Sequence, residues 1–244
     1  MSRFLLLHSA DAADAIVATS LVRSLESRGQ EVTIVGDSVT NEIMSIAGYR
    51  CSSFEEVASQ HFDLAANLSP SFSCTALMGK IAAEEKLGYG QDESGLFFYN
   101  DGAHHHYRAK FIKIPSGANQ CQLLDGVAGT KWQGEGYTLR YFPRNKMKKA
   151  LTGIAIRDNG LREYVLKNLK LGQSRLWRVP IKQNVCKQLD EVNRCRQIVT
   201  DDLTVAHVAL ALRKSVEFLT AKTLPYKFEM FGNGSVHIYD PKVI

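Results

Sequence analysis

The chain opens on a short apolar run, Phe4-Leu-Leu-Leu, set between Arg3 and the polar stretch from His8 to Asp11. A run that brief, closed by a polar turn, predicts a buried strand over residues 3–9. Ile16, Val17, Leu21, Val22 and Leu25 then recur at helical spacing over 13–28, and Gly29 supplies the stop. Residues 31–36 (Glu-Val-Thr-Ile-Val-Gly) predict a second strand. Strand, helix and strand in that order imply a parallel sheet with a right-handed crossover. The pattern continues with a helix over 40–47 capped by Thr40, a strand over 62–68 and a helix over 73–83, leading out through 85–90. Residues 91–118 read as an elaborated loop, 120–128 as a helix ending at Gly129, and 134–143 as extended chain.

After Pro143 the alternation restarts. Strands are predicted over 151–156, 175–181, 196–200, 216–219 and 236–239, and helices over 160–168, 184–195 and 204–212. The fold class this implies is α/β, two parallel-sheet domains covering 1–143 and 144–244, the second one small. Charge breaks at the same place. Residues 1–143 hold 11 Lys and Arg against 16 Asp and Glu, whereas 144–244 hold 19 against 9. The net +5 therefore hides a basic second half suited to an anionic partner. Arg144, Lys146, Lys148 and Lys149 form a basic cluster at the boundary, read as a solvated linker or as a contact to membrane phosphates. A nucleic-acid partner is not expected, because no interleaved aromatic motif or binding module is present.

The remaining composition narrows the class. No apolar run approaches the ~18 residues of a membrane span, and the opening run is too short for a signal peptide. A cytoplasmic protein is expected. Five scattered cysteines without a CxxC pair predict reduced thiols and no zinc knuckle. His104-His-His106 is metal-like in composition, but three neighbours on a strand or loop cannot converge on one ion, so no metal is expected. Gly88-Tyr-Gly90 and Gly232-Asn-Gly234 read as turns.

Ligands of open α/β sheets bind beyond the carboxyl ends of strands. Two loops fit. The first is Ser9-Ala10-Asp11 and its continuation to Asp14, where small residues let a ligand approach and a helix N-terminus follows. Asp14 there is either a general base for a bound hydroxyl or, like Asp11, a helix cap. The second runs Val199-Thr200-Asp201-Asp202-Leu203-Thr204 and on to His207. It is either a phosphate or ribose site built on a helix N-terminus or a plain capped helix carrying an ordinary histidine.

These loops carry a resemblance. Phe4-Leu-Leu-Leu-His-Ser-Ala-Asp-Ala-Ala-Asp14, Phe62-Asp-Leu-Ala-Ala-Asn-Leu, Glu85-Lys-Leu-Gly-Tyr-Gly90 and Gly126-Val-Ala-Gly-Thr-Lys-Trp132 follow one another in order. Asp202 stands five residues before His207, and Phe231-Gly-Asn-Gly234 follows near the end. Together they resemble glycosyltransferase family 9, the heptosyltransferase-like enzymes of lipopolysaccharide assembly. The resemblance implies a GT-B-like fold of two Rossmann-like domains facing a cleft, the acceptor on the N-terminal side and the nucleotide-sugar on the C-terminal side. It implies inverting transfer without a metal or other cofactor, an ADP-heptose type of donor, a glycan or glycolipid acceptor and peripheral contact with the inner membrane. It makes Asp14 the candidate catalytic base and Ser9, Ala10 and Asp11 the acceptor-side loop. Thr200, Asp202, Thr204 and His207 become donor contacts.

The chain also departs from the family. Its second domain is shortened, and Leu203 stands where a Thr is usual. Asp201 replaces a Gly and adds charge where a diphosphate would sit; Arg157 is the candidate replacement for a missing cation. The alternative implied by those departures is a degenerate scaffold that acts as a binding or assembly partner.

Overall fold

The computed structural model describes residues 2–141, 150–168, 176–181, 184–228 and 231–239. The chain falls into two compact units, one of Met1–Thr138 with Pro225–Glu229, the other of Leu139–Leu224 with Met230–Ile244. The boundary predicted at Pro143 and the cluster Arg144, Lys146, Lys148 and Lys149 lie outside the described residues.

The first unit runs β1 (Arg3–His8), α1 (Ala12–Ser27), β2 (Glu31–Gly36), α2 (Ser38–Ala47), α3 (Phe54–Ala58), β3 (His61–Asn67), α4 (Phe72–Lys80), β4 (Ala82–Asp92), β5 (Gly95–Phe98), α5 (Asp101–Lys110) and α6 (Gln120–Val127). Its sheet has the order β2-β1-β3-β4-β5, parallel except for β5. β1 is central, so Leu5, Leu6 and Leu7 are all buried although they point to alternate faces. That explains why the run is continuously apolar. α1 packs with Ala15, Ile16, Val17, Ala18, Leu21, Val22 and Leu25 sealed from solvent. Below the sheet, Leu5 and Leu7 join Phe62, Ala65, Met78 and Ile81 in one cluster.

The second unit runs β6 (Ala150–Ala155), α7 (Asn159–Asn168), β7 (Leu176–Arg178), α8 (Val185–Asn193), β8 (Cys195–Thr200), α9 (Leu203–Ala211), β9 (Ser215–Thr220) and β10 (Gly234–Ile238). Its sheet has the order β10-β9-β8-β6-β7 and is parallel throughout. α9 is apolar nearly all round (Val205, Ala206, Val208, Ala209 and Leu210 are buried), the composition of a helix that is itself buried.

Several elements differ from the sequence reading. The stretch 91–118 is not a loop: it completes β4, turns into β5 and carries α5. α4 stops at Lys80, and the alanines that looked helical, Ala82 and Ala83, begin β4, because strand pairing to His61 and Phe62 outweighs their helix preference. Asp37, not Thr40, caps α2; its carboxylate accepts the Thr40 N–H at 2.8 Å. Gly88 and Gly90 sit inside β4 instead of in a turn.

Gly88 has φ +89°, and a Cβ there would lie 1.9 Å from the Asn67 carbonyl oxygen. Both the dihedral and the neighbour strand exclude a side chain. Gly88→Ala is therefore expected to lose more than ~2 kcal/mol of stability. Chemical denaturation checks this; a loss below ~0.5 kcal/mol would show that the strand yields.

Candidate functional site

In both sheets the strand order reverses next to the first strand of the unit. β1 lies between β2 and β3, and β6 between β7 and β8. The connections leaving such a pair diverge to opposite faces and open a crevice at the strands' carboxyl ends. Each crevice holds one of the two loops singled out from sequence.

At the first crevice, the loop after β1 (Ser9–Asp11) and the loop after β3 (Leu68–Ser71) line a cavity of about 390 Å³. Asp11 is the N-cap of α1, its carboxylate accepting the Asp14 N–H at 3.0 Å. Capping thus falls to Asp11 and leaves the Asp14 side chain for other work. Asp14 is buried, and both its oxygens are held. Oδ1 accepts the Gln120 side-chain N–H at 2.5 Å, and Oδ2 takes an ion pair from the Lys110 ammonium. Ser9 donates its hydroxyl to Asp37 at 2.7 Å, while its carbonyl accepts the Ser69 hydroxyl at 2.7 Å. The two β-strand loops are thereby tied together, and Ala10 stands between them on the cavity wall.

His8 and His106 also line the cavity. Burial pulls both imidazoles down, His8 to about 3 and His106 to about 4, so both are neutral. His106 Nδ1 meets the Tyr89 hydroxyl at 2.6 Å. Its neighbours go elsewhere: His105 Nε2 meets the Ser116 hydroxyl at 2.9 Å and His104 packs on Phe98. Among the described residues, no three His, Cys, Asp or Glu side chains are grouped as a metal site requires.

The second crevice is built on unit 2 alone. Thr200, at the end of β8, donates to the Ala155 carbonyl at 2.7 Å and accepts the Asp202 N–H at 3.0 Å. Asp202 caps α9 through the Val205 N–H at 2.9 Å. Its other oxygen pairs with the Arg157 guanidinium, whose Nε lies 2.9 Å away. Asp201 accepts the Arg157 backbone N–H at 3.0 Å. Both acidic side chains are therefore turned onto the loop after β6. Thr204 lies in the first turn of α9, partly buried, and His207 one turn on is 1% exposed.

Sequence reasoning missed Lys110 and Gln120. They stand 96 and 106 residues from Asp14, beyond any local pattern. Part of the signal was nevertheless present. Asn100 as cap, Asp101 in the first turn and Arg108 and Lys110 in the last mark a helix end to end.

No protein-family description and no curated protein matches the chain in sequence. Solved structures do match in fold. A glycosyltransferase family 9 protein from Veillonella parvula superposes with a TM-score of 0.66 at 13% identity, covering 98% of this chain and 86% of that one. The chain has the family 9 glycosyltransferase fold. The Escherichia coli ADP-heptose lipopolysaccharide heptosyltransferase II gives 0.64 at 12% identity, covering 97% and 90%. The Escherichia coli heptosyltransferase WaaC, solved with ADP-2-deoxy-2-fluoro heptose, gives 0.58 at 10%, covering 96% and 92%. No helix among the described residues is long and apolar enough to cross a membrane.

Burial pulls the Lys110 ammonium down to about 8, against an opposing pull from Asp11. An unfolded lysine titrates near ~10.4. Between those values the unfolded chain binds a proton that the folded chain does not, so this group's contribution raises stability as pH rises through that window. Lys110→Met removes this titrating group. The stability of the wild type relative to this variant should climb from pH 8 to pH 10 in chemical denaturation; a constant difference would contradict the burial argument.

Proposed function

We propose that the chain transfers a sugar from a nucleotide-sugar to a hydroxyl of a glycan or glycolipid acceptor. The observation that carries this is the Asp14 carboxylate, fixed on both oxygens and facing a cavity at the strand-order reversal of a glycosyltransferase-like fold. Asp14 accepts the proton of the acceptor hydroxyl as that oxygen bonds to the anomeric carbon. The bond from that carbon to the phosphate oxygen breaks, its electron pair leaves with the nucleoside diphosphate, and the anomeric configuration inverts. Lys110 and Gln120 hold the carboxylate in place and spare it a reorganisation at the moment of transfer. In this reading unit 1 binds the acceptor through Ser9, Ala10 and Asp11. Unit 2 binds the donor through Thr200, Asp202, Thr204 and His207, with the α9 N-terminus and Arg157 opposing the diphosphate's charge. ADP-heptose is the first donor to test, because the similar structures include an ADP-heptose heptosyltransferase and a heptosyltransferase solved with ADP-2-deoxy-2-fluoro heptose.

Asp14→Asn keeps the shape and the Gln120 contact, gives up the ion pair to Lys110 and cannot take a proton. Transfer should fall at least ~100-fold with donor binding unchanged. Product formation by mass spectrometry and donor affinity by calorimetry check the two halves; unimpaired turnover removes Asp14 from the role. Asp201→Gly deletes a charge beside the diphosphate and frees the Arg157 N–H. Donor affinity is expected to rise about tenfold, or ~1.4 kcal/mol; unchanged or weaker affinity would show that Asp201 serves the loop alone.

A further inference from the structure

A second cavity, of about 460 Å³, adjoins the Asp14 cavity and shares Ser9 with it. Val35, Phe54, Cys74, Ala76 and Leu77 form its walls, from the end of β2, the start of α3 and one face of α4. Its volume is that of a small-molecule site. Two polar residues on the wall are already satisfied by the protein. The Ser9 hydroxyl donates to Asp37 Oδ2 at 2.7 Å, and Asp37 Oδ1 accepts the Thr40 N–H at 2.8 Å. Among the described residues, the cation on the lining is Lys80, exposed at the end of α4. Apart from the exposed Ser73 and Lys80, what this cavity offers a ligand is therefore apolar surface. Leu77 and Val35 continue inward to the buried cluster under the sheet, so its inner wall is backed by packed side chains.

The adjoining cavity sets the charge of whatever spans the two. Among the described residues its lining carries Asp11 and Asp14 against one cation, Lys110, which is committed to Asp14. Burial keeps His8 and His106 neutral, so neither adds positive charge. A carboxylated or phosphorylated sugar entering there meets a surplus of negative charge and, among the described lining residues, no unpaired cation. A neutral hydroxyl-bearing sugar meets neither obstacle.

We propose that the acceptor is an uncharged sugar joined directly to an apolar aglycone, the sugar in the Asp14 cavity and the aglycone in the cavity walled by Phe54 and Leu77. This deepens the transfer reading and rests on it for the word acceptor. The apolar subsite itself is a binding claim that needs no donor and no turnover.

The test uses the whole chain without nucleotide. The neutral apolar fluorophore N-phenyl-1-naphthylamine is titrated first, then displaced by n-alkyl β-D-glucosides from methyl to octyl, kept below micelle-forming concentrations. Saturable 1:1 probe binding is expected. Each added methylene should tighten displacement about fourfold until the cavity is full. Ala76→Trp fills the cavity and should abolish probe binding with an unchanged melting temperature; Phe54→Asp, placing a charge on the wall at an exposed side chain, should do the same if the tryptophan variant is unstable. Octyl β-D-glucuronide should bind at least tenfold more weakly than the octyl glucoside.

No probe binding, binding untouched in a folded variant, or affinity independent of chain length would overturn the subsite. Equal affinity for the glucuronide would overturn the uncharged sugar. The Asp14→Asn chain should show the same chain-length dependence as the wild type. Loss of transfer and loss of this dependence are thus read in separate experiments.

Discussion

The geometry of unit 1 turns on one buried carboxylate. Asp14 sits at the third position of α1 and is bonded by Lys110 from the end of α5 and Gln120 from the start of α6. Three helices that are distant in sequence are thereby held at one point above the end of β1. The ammonium and the amide each gain a partner they need, since an unpaired charge or amide at that depth would cost several kcal/mol. The arrangement also explains the division of labour between neighbouring aspartates. Asp11 satisfies the helix terminus, so Asp14 need not. In the proposed transfer, a carboxylate relieved of capping and fixed on both oxygens would accept the proton without moving.

Unit 2 solves a related problem differently. There the cap, Asp202, is also the ion-pair partner of Arg157, and Asp201 takes the backbone N–H of the same arginine. Two carboxylates and one guanidinium bind the loop after β6 to the loop after β8. A nucleotide diphosphate at the start of α9 would compete with these acidic groups for Arg157. That competition is where this chain should differ from the enzymes whose fold it shares.

Much of the fold was legible because its strands and helices carry their own periods. β1 and α9 show as nearly unbroken apolar runs, α1 as apolar positions at helical spacing, and the order of elements implies the parallel sheets. What failed had physical causes. Ala82 and Ala83 suit a helix in isolation, and only pairing with β3 makes them a strand. α5 is polar over much of its length, with three successive histidines, so its apolar face is too narrow for periodicity to register. The site was half legible. The loops that contain Asp14 and Asp202 are local in sequence and could be read. Lys110 and Gln120 reach Asp14 through tertiary packing, which no spacing rule encodes. Arg157 was suggested as a cation for a phosphate, and the structure gives it two aspartates as partners.

The central claim, that this fold binds a nucleotide-sugar for transfer, is most directly tested by calorimetric titration of the whole chain with ADP-, UDP- and GDP-sugars, with His207→Ala and Arg157→Gln as controls. The account predicts saturable binding of one nucleotide class, weakened in both variants. No binding of any class at millimolar concentration would contradict it and leave the chain a glycosyltransferase-like scaffold without a donor.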